Sequence, residues 1–92
     1  HTFIRIAGYD NPAEMEHSGD RVAMGVDIFH GTEQMGAGLT AGPLRDMNNL
    51  FSVLVEKNRD YELRYYNAQG ALQRKSVSLG EQPITVTIFL NE

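Results

Sequence analysis

The stretch RVAMGVDIFH, residues 21–30, alternates apolar side chains with small or polar ones along most of its length. Successive side chains of an extended chain point to opposite faces, so a period of two predicts a β-strand with one buried face. Gly31 follows directly and ends the predicted strand. The buried face is predicted to consist of Val22, Met24, Val26 and Ile28.

The same period recurs through most of the remaining chain. It predicts further strands at residues 2–7, 49–56, 61–65, 72–79 and 84–90, and a weaker strand, softened by glycines, at residues 35–39. With residues 21–30, these make about seven short strands, which is typical of a β-sandwich. We therefore predict an all-β, antiparallel sandwich of the immunoglobulin-like or transthyretin-like kind, with a flattened barrel as the alternative.

Turn-forming residues separate the predicted strands. Residues 10–20 are polar, include a proline and a glycine, and are predicted to form a loop. Residues 57–60 and 67–70 are predicted to form hairpin turns, the second with Gly70 at a position that requires a positive φ. No convincing helix is expected, and the nearest candidate is a single turn within residues 43–50.

The inward positions of the predicted strands define the expected core. They carry aliphatic or aromatic side chains at alternate residues. The predicted core residues are Ile4, Ile6, Val22, Met24, Val26, Ile28, Phe51, Val53, Val55, Tyr61, Leu63, Tyr65, Ile84, Val86 and Ile88.

Length and composition exclude several classes of protein. The chain has 92 residues, 41% of them hydrophobic, which suits one globular domain spanning residues 1–92. The best apolar run, residues 84–90, is far shorter than the roughly 20 residues of a membrane-spanning helix. A net charge of −4 disfavours nucleic acid as a partner. Cysteine is absent, which excludes disulfides, thiolate nucleophiles and cysteine-bound zinc.

Catalytic and metal-binding patterns are weak. No serine stands in a nucleophile elbow, and the acidic residues fall mostly in predicted loops or on outward strand faces. We therefore expect no enzyme activity, no catalytic residues and no cofactor. The alternative is a periplasmic copper site, in which the amine and ring of His1 join a second imidazole, from His17 or His30.

The most informative surface feature is the sequence YELRYY, residues 61–66. Tyr61, Leu63 and Tyr65 share the inward face, which leaves Arg64 and Tyr66 pointing outward. Phe89 also falls on the outward side of its strand. Exposed aromatic side chains beside arginine are typical of protein-binding surfaces, so Arg64, Tyr66 and Phe89 are the predicted partner-binding residues.

Exposed sheet edges offer a second way to bind a protein. An extended peptide can add to an edge strand through backbone hydrogen bonds. Residues 85–90 and the glycine-softened residues 35–39 are the expected edges.

From residue 21 onward, the order of these features resembles the YscW/ExsB-like family of type III secretion pilotins, which are small lipoproteins. In that family an alternating first strand is followed by an F-x-L strand, a Y-x-L/V-R strand, a glycine-containing hairpin and a closing strand that begins with proline. The matching stretches are residues 21–28, 50–54, 61–65, 68–72 and 83–90. The spacer at residues 55–60 is shorter than the family's.

This resemblance implies a non-catalytic, chaperone-like binding protein. Its expected partner is a secretin subunit, which it would bind through a peptide segment and help to reach the outer membrane. It implies a monomer on the periplasmic side of the outer membrane, or in the periplasm, and a lipid-bearing cysteine upstream of His1 as the only membrane contact. The alternative functions are a carbohydrate-binding or adhesin module, in which an exposed tyrosine stacks on sugar rings, and the copper-binding protein described above.

Overall fold

The computed structural model describes residues 1–40 and 51–91, which form two packed β-sheets and one short helix. The elements in chain order are β1 (Thr2–Tyr9), α1 (Pro12–His17), β2 (Gly25–His30), β3 (Glu33–Leu39), β4 (Phe51–Val55), β5 (Asp60–Tyr66), β6 (Leu72–Ser78) and β7 (Ile84–Phe89). One sheet has the strand order β4-β1-β7 and the other the order β3-β2-β5-β6. The predicted all-β sandwich is confirmed.

Strand pairing is antiparallel with one exception. β1 and β7 run parallel, with Ile4 opposite Ile84 and Gly8 opposite Ile88. β1 also pairs antiparallel with β4, and the four-stranded sheet is antiparallel throughout. The ladders form two separate sheets within the described residues, so the structure is a sandwich and not a flattened barrel.

The core lies between the two sheets and follows the predicted alternation. Every predicted core residue is buried except Val22 and Ile84. These two are half-buried and pack against the buried core. Ala7 and Leu79 are also buried, although their sequence contexts did not predict it. Complete burial of Ile4, Ile28 and Leu63 shows that facing strands interlock at the centre of the sandwich.

Residues 12–17, predicted as part of a loop, form helix α1. Asn11 caps this helix, because its side-chain Oδ1 accepts a hydrogen bond from the Glu14 amide at 2.7 Å. Pro12 occupies the first helical turn, where a missing N–H is tolerated. No helix among the described residues is long and apolar enough to cross a membrane. The predicted turn within residues 43–50 lies outside the described residues.

The predicted strand at residues 21–30 begins later than expected, at Gly25. Residues 21–24 use other hydrogen-bond partners: the Val22 amide donates to the Gly8 carbonyl at 2.8 Å. The Thr40 hydroxyl accepts from the Met24 amide at 2.9 Å and donates to the Val22 carbonyl at 2.6 Å. The alternation of apolar and polar residues therefore continues through residues 21–24, although these residues are not part of a strand.

The two predicted hairpin turns have different outcomes. The second is confirmed: it joins β5 to β6, and Gly70 has a φ of 78°. The first is wrong, because β4 and β5 belong to different sheets, and residues 56–59 carry the chain from one sheet to the other. Asn58 adopts a φ of 58° within this crossover, and its amide donates to the Gly80 carbonyl.

The end strands of both sheets include the two that the sequence predicted as edges. Within residues 1–40 and 51–91, β3 and β6 end the four-stranded sheet, and β4 and β7 end the three-stranded one. Lys75 of β6 bridges the sheets on one side, since its Nζ donates to the Thr87 carbonyl of β7 at 3.0 Å.

Candidate functional site

The outward face of β5 carries two of the three predicted binding residues. Tyr61, Leu63 and Tyr65 are buried, so Glu62, Arg64 and Tyr66 point away from the core. The Tyr66 side chain is 63% exposed, more than any other large hydrophobic side chain among the described residues. Such a ring offers a rigid, largely apolar contact surface with a polar tip.

Leu72 extends this apolar surface onto the next strand. It lies directly opposite Tyr66 in the β5–β6 ladder and is 43% exposed. Side chains of directly opposed residues on one face are in contact range, with Cβ atoms about 5 Å apart. Tyr66 and Leu72 therefore form one continuous exposed apolar pair.

The turn between β5 and β6 fixes this pairing. The Asn67 side-chain oxygen accepts hydrogen bonds from the Gln69 and Ala71 amides at 3.0 and 2.9 Å. The Asn67 amide in turn donates to the Ala71 carbonyl. This network sets the register of the hairpin, so the Tyr66–Leu72 pair is presented on an ordered turn.

Arg64 is held flat on the sheet by two neighbours. Its Nε donates to the Glu62 carboxylate at 2.6 Å, and its guanidinium carbon lies 3.9 Å from the centre of the Phe29 ring. The Arg64 side chain is 28% exposed. A guanidinium over an aromatic face is stabilised by the ring quadrupole, which favours this orientation.

Arg74 lies directly opposite Arg64 on β6 and is exposed. Among the described residues, the ion pairs are Arg64–Glu62 and Arg59–Glu56, so no carboxylate of this part of the chain pairs with Arg74. We call the surface formed by Arg64, Tyr66, Leu72 and Arg74 the hairpin face.

Sequence reasoning missed Leu72 and Arg74. A hairpin turn at residues 67–70 would place Ala71 opposite Tyr66 and Gln73 opposite Arg64. The observed register is offset by one residue, because the Asn67 amide donates to the Ala71 carbonyl across a shorter loop, and Leu72 therefore lies opposite Tyr66 and Arg74 opposite Arg64.

No family model matches the sequence, and no curated protein matches it.

Phe89, the third predicted binding residue, lies on the other sheet. β7 buries Val86 and Ile88 and leaves Phe89 on the outward side, half-buried, with its ring centre 6.4 Å from that of Tyr9. The structure thus brings Arg64 and Tyr66 together and places Phe89 apart from them, on the three-stranded sheet.

A second exposed apolar pair lies on the three-stranded sheet. Phe3 of β1 and Leu54 of β4 face each other in the ladder and are 41% and 58% exposed. Arg5, two residues along β1, is exposed between Ser52 and Thr85. This pair resembles the hairpin face in apolar content and has one arginine beside it, where the hairpin face has two directly opposed.

The three histidines of the copper hypothesis occupy different elements. His1 precedes β1 and His17 ends α1, which follows β1 in the chain. The His30 ring nitrogen Nδ1 lies 2.9 Å from the Asp60 carbonyl oxygen, and the ring packs against Tyr61. In residues 1–40 and 51–91, no group of three or more His, Cys, Asp or Glu side chains is arranged to hold a metal.

Proposed function

We propose that the chain is a non-catalytic binding protein that holds a peptide segment of a protein partner on the hairpin face. The observation that supports this is the exposed Tyr66–Leu72 pair, set on an ordered hairpin beside two opposed arginines. Tyrosine and arginine are the side chains that most often dominate binding energy at protein interfaces. The specific partner we propose is a secretin subunit, which follows from the resemblance to pilotins.

The hairpin face suits this role because it needs little reorganisation before it binds. Arg64 is already oriented by Glu62 and Phe29, and the Asn67 network fixes the turn. Side chains and loops that are ordered beforehand lose less conformational entropy on binding. In the proposed role the protein is a monomer on the periplasmic side of the outer membrane or in the periplasm.

A carbohydrate-binding or adhesin module is the second candidate. The exposed Tyr66 ring supports it, because a flat aromatic surface with neighbouring polar groups can stack on a sugar ring. The two candidates differ in what a single substitution should do. A peptide site uses both members of the Tyr66–Leu72 pair, whereas a stacking site depends on the Tyr66 ring and tolerates changes at Leu72.

The proposal is tested by capture of an identified secretin. Immobilised protein is incubated with a detergent extract of outer membranes that contain a type III secretin, and the bound secretin is measured by immunoblot. We expect the native chain to retain it and both Tyr66→Ala and Leu72→Ala to reduce retention at least about tenfold, as expected for central contacts. Leu54→Ala removes an exposed leucine from the other sheet and serves as the matched control.

Three outcomes contradict parts of the proposal. Equal retention by Tyr66→Ala, Leu72→Ala and the native chain would show that the partner binds elsewhere. Failure of the native chain to retain any secretin would remove the pilotin role. Retention on a polysaccharide column that is lost in Tyr66→Ala and kept in Leu72→Ala would establish the carbohydrate-binding alternative.

A further inference from the structure

Building on the proposed function, we infer that the segment bound at the hairpin face is an acidic, extended peptide with a carboxylate two residues from an apolar side chain. The positive charge of β6 and the spacing of Leu72 and Arg74 along it favour such a peptide.

Charge is distributed unevenly across the outer face of the four-stranded sheet. Along one cross-strand row, Asp27, Arg64 and Arg74 follow one another on β2, β5 and β6. The Asp27 carboxylate accepts a hydrogen bond from Gln34 on β3, and Glu62 pairs with Arg64. Negative charge is therefore concentrated towards β2 and beside Arg64, and Arg74 stands at the end of this row away from Asp27.

The strand β6 is positively charged. Its sequence, LQRKSVS, contains Arg74 and Lys75 and no acidic residue. Like charges placed directly opposite each other on a sheet repel, and Arg64 faces Arg74 in this way. An incoming carboxylate at Arg74 would reduce this repulsion and would accept hydrogen bonds from a guanidinium, which binds carboxylates in two-pronged geometry.

Spacing connects this charge to the apolar pair. Leu72 and Arg74 are two residues apart on one face of β6, a separation of about 6.7 Å along a strand. An extended peptide that lies on the outward face of β6, parallel to the strand, has the same period. A peptide side chain that packs on Tyr66 and Leu72 therefore places the side chain two residues away over Arg74.

The experiment uses synthetic peptides as probes. The acidic peptide is acetyl-Gly-Ser-Leu-Ser-Asp-Ser-Gly-amide, and its matched partners carry Asn or Lys in place of Asp. Each is titrated into isotope-labelled protein, and backbone amide shifts of residues 64–74 are followed by NMR at low ionic strength. We expect the acidic peptide to shift these amides with an affinity about three- to tenfold above that of the Asn peptide, and the Lys peptide to bind least.

Two charge-matched variants identify the residue responsible. Arg74→Gln should remove the preference for the acidic peptide over the Asn peptide. Arg5→Gln removes the same charge from the exposed face of the other sheet and should leave that preference intact. Raising the salt concentration to 0.5 M should reduce the preference in the native chain, because exposed charges are screened.

The possible failures are distinguishable. Equal shifts of residues 64–74 by the Asp and Asn peptides would overturn the acidic inference and leave the hairpin face as a binding surface. The acidic inference would also be overturned if the acidic peptide shifted only amides outside residues 64–74 while Tyr66→Ala still abolished secretin capture. If the native chain self-associates with rising concentration and Arg74→Gln abolishes this, the occupant of the hairpin face is a second copy of the chain. The exposed Glu14, Glu16 and Asp20 of that copy would then supply the carboxylates. Secretin capture unchanged by Tyr66→Ala would overturn the proposed function itself.

Discussion

Gly38 of β3 lies directly against the ring of Phe51 in β4, so a methyl group added at Gly38 would sit 2.6 Å from the ring atom Cζ. Gly36 stands in the same relation to Val53, whose Cγ1 would be 2.8 Å from an added methyl group. The two glycines let the end strands of the two sheets approach closely. This contact closes the β3–β4 side of the sandwich.

Substitution of Gly38 should therefore destabilise the fold through overpacking. We expect Gly38→Ala to lower the free energy of unfolding by about 1–3 kcal/mol, measured by urea denaturation. Gly25→Ala is the matched control, since that glycine also lies in a strand and has open space around it. It should leave stability unchanged or raise it by up to about 1 kcal/mol. If the two variants are equally stable, the close β3–β4 packing is contradicted.

A second substitution can separate steric conflict from a general loss of flexibility. Phe51→Leu shortens the side chain that an alanine at position 38 would strike. In the Gly38→Ala background, Phe51→Leu should therefore cost less than it does in the native chain. Additive effects would indicate that the two residues do not share a contact.

Much of the fold was predictable because the strands follow a period of two. The alternation in residues 61–66 correctly separated buried Leu63 from exposed Tyr66. What alternation cannot specify is which strands pair, because a polar turn such as residues 57–60 can join two strands of one sheet or pass between sheets. Helix α1 had a sequence signal in the Asn11–Pro12 pair, whose capping character outweighs the polar composition of the segment.

The candidate site was only partly predictable, for a related reason. Outward direction can be inferred along one strand, so Arg64 and Tyr66 were found. Whether two outward residues share a surface depends on which strands belong to the same sheet. Alternation alone does not show this, and Phe89 lies on the other sheet from Arg64 and Tyr66. Leu72 and Arg74 required the exact register of the hairpin, and a turn predicted at residues 67–70 is one residue off the observed register.

Thr40 offers a test of hydrogen bonding in the buried region beside β1. Its hydroxyl bonds both the Met24 amide and the Val22 carbonyl, and the residue has no exposed surface. Thr40→Val keeps the shape and leaves both backbone groups without that partner, at about 1–3 kcal/mol for each group. We expect a loss of about 2 kcal/mol or more in the free energy of unfolding.

The matched variant is Thr40→Ser, which keeps the hydroxyl and loses one methyl group. It should be more stable than Thr40→Val in the same denaturation experiment. The opposite order would mean that filling the space beside Gly8, and not hydrogen bonding, is the main contribution of this side chain.

Arg74 should impose a small stability penalty on the native fold. It faces Arg64 across the ladder, and opposed like charges are destabilising, whereas opposite charges contribute about 0.2–1 kcal/mol. Arg74→Glu should therefore raise the midpoint of thermal unfolding at low ionic strength, with the gain reduced in 0.5 M salt. Arg5→Glu, opposite the neutral Ser52 and Thr85, is the control and should show no such gain. A lower midpoint for Arg74→Glu at low salt would contradict the arrangement of charges described for the hairpin face.

Lys75 should protect the adjacent edges of β6 and β7 from pairing with another molecule. It lies on the core-facing side of an end strand, where a charged side chain disfavours addition of a further strand, and its Nζ occupies the Thr87 carbonyl of β7. We expect Lys75→Val to leave the monomer folded and to cause concentration-dependent association, measured by sedimentation velocity. Lys57→Val places the same apolar side chain at an exposed position in the crossover between sheets and should stay monomeric. Monomeric behaviour of both variants at the same concentrations would show that the β6–β7 side is protected by some other feature than Lys75.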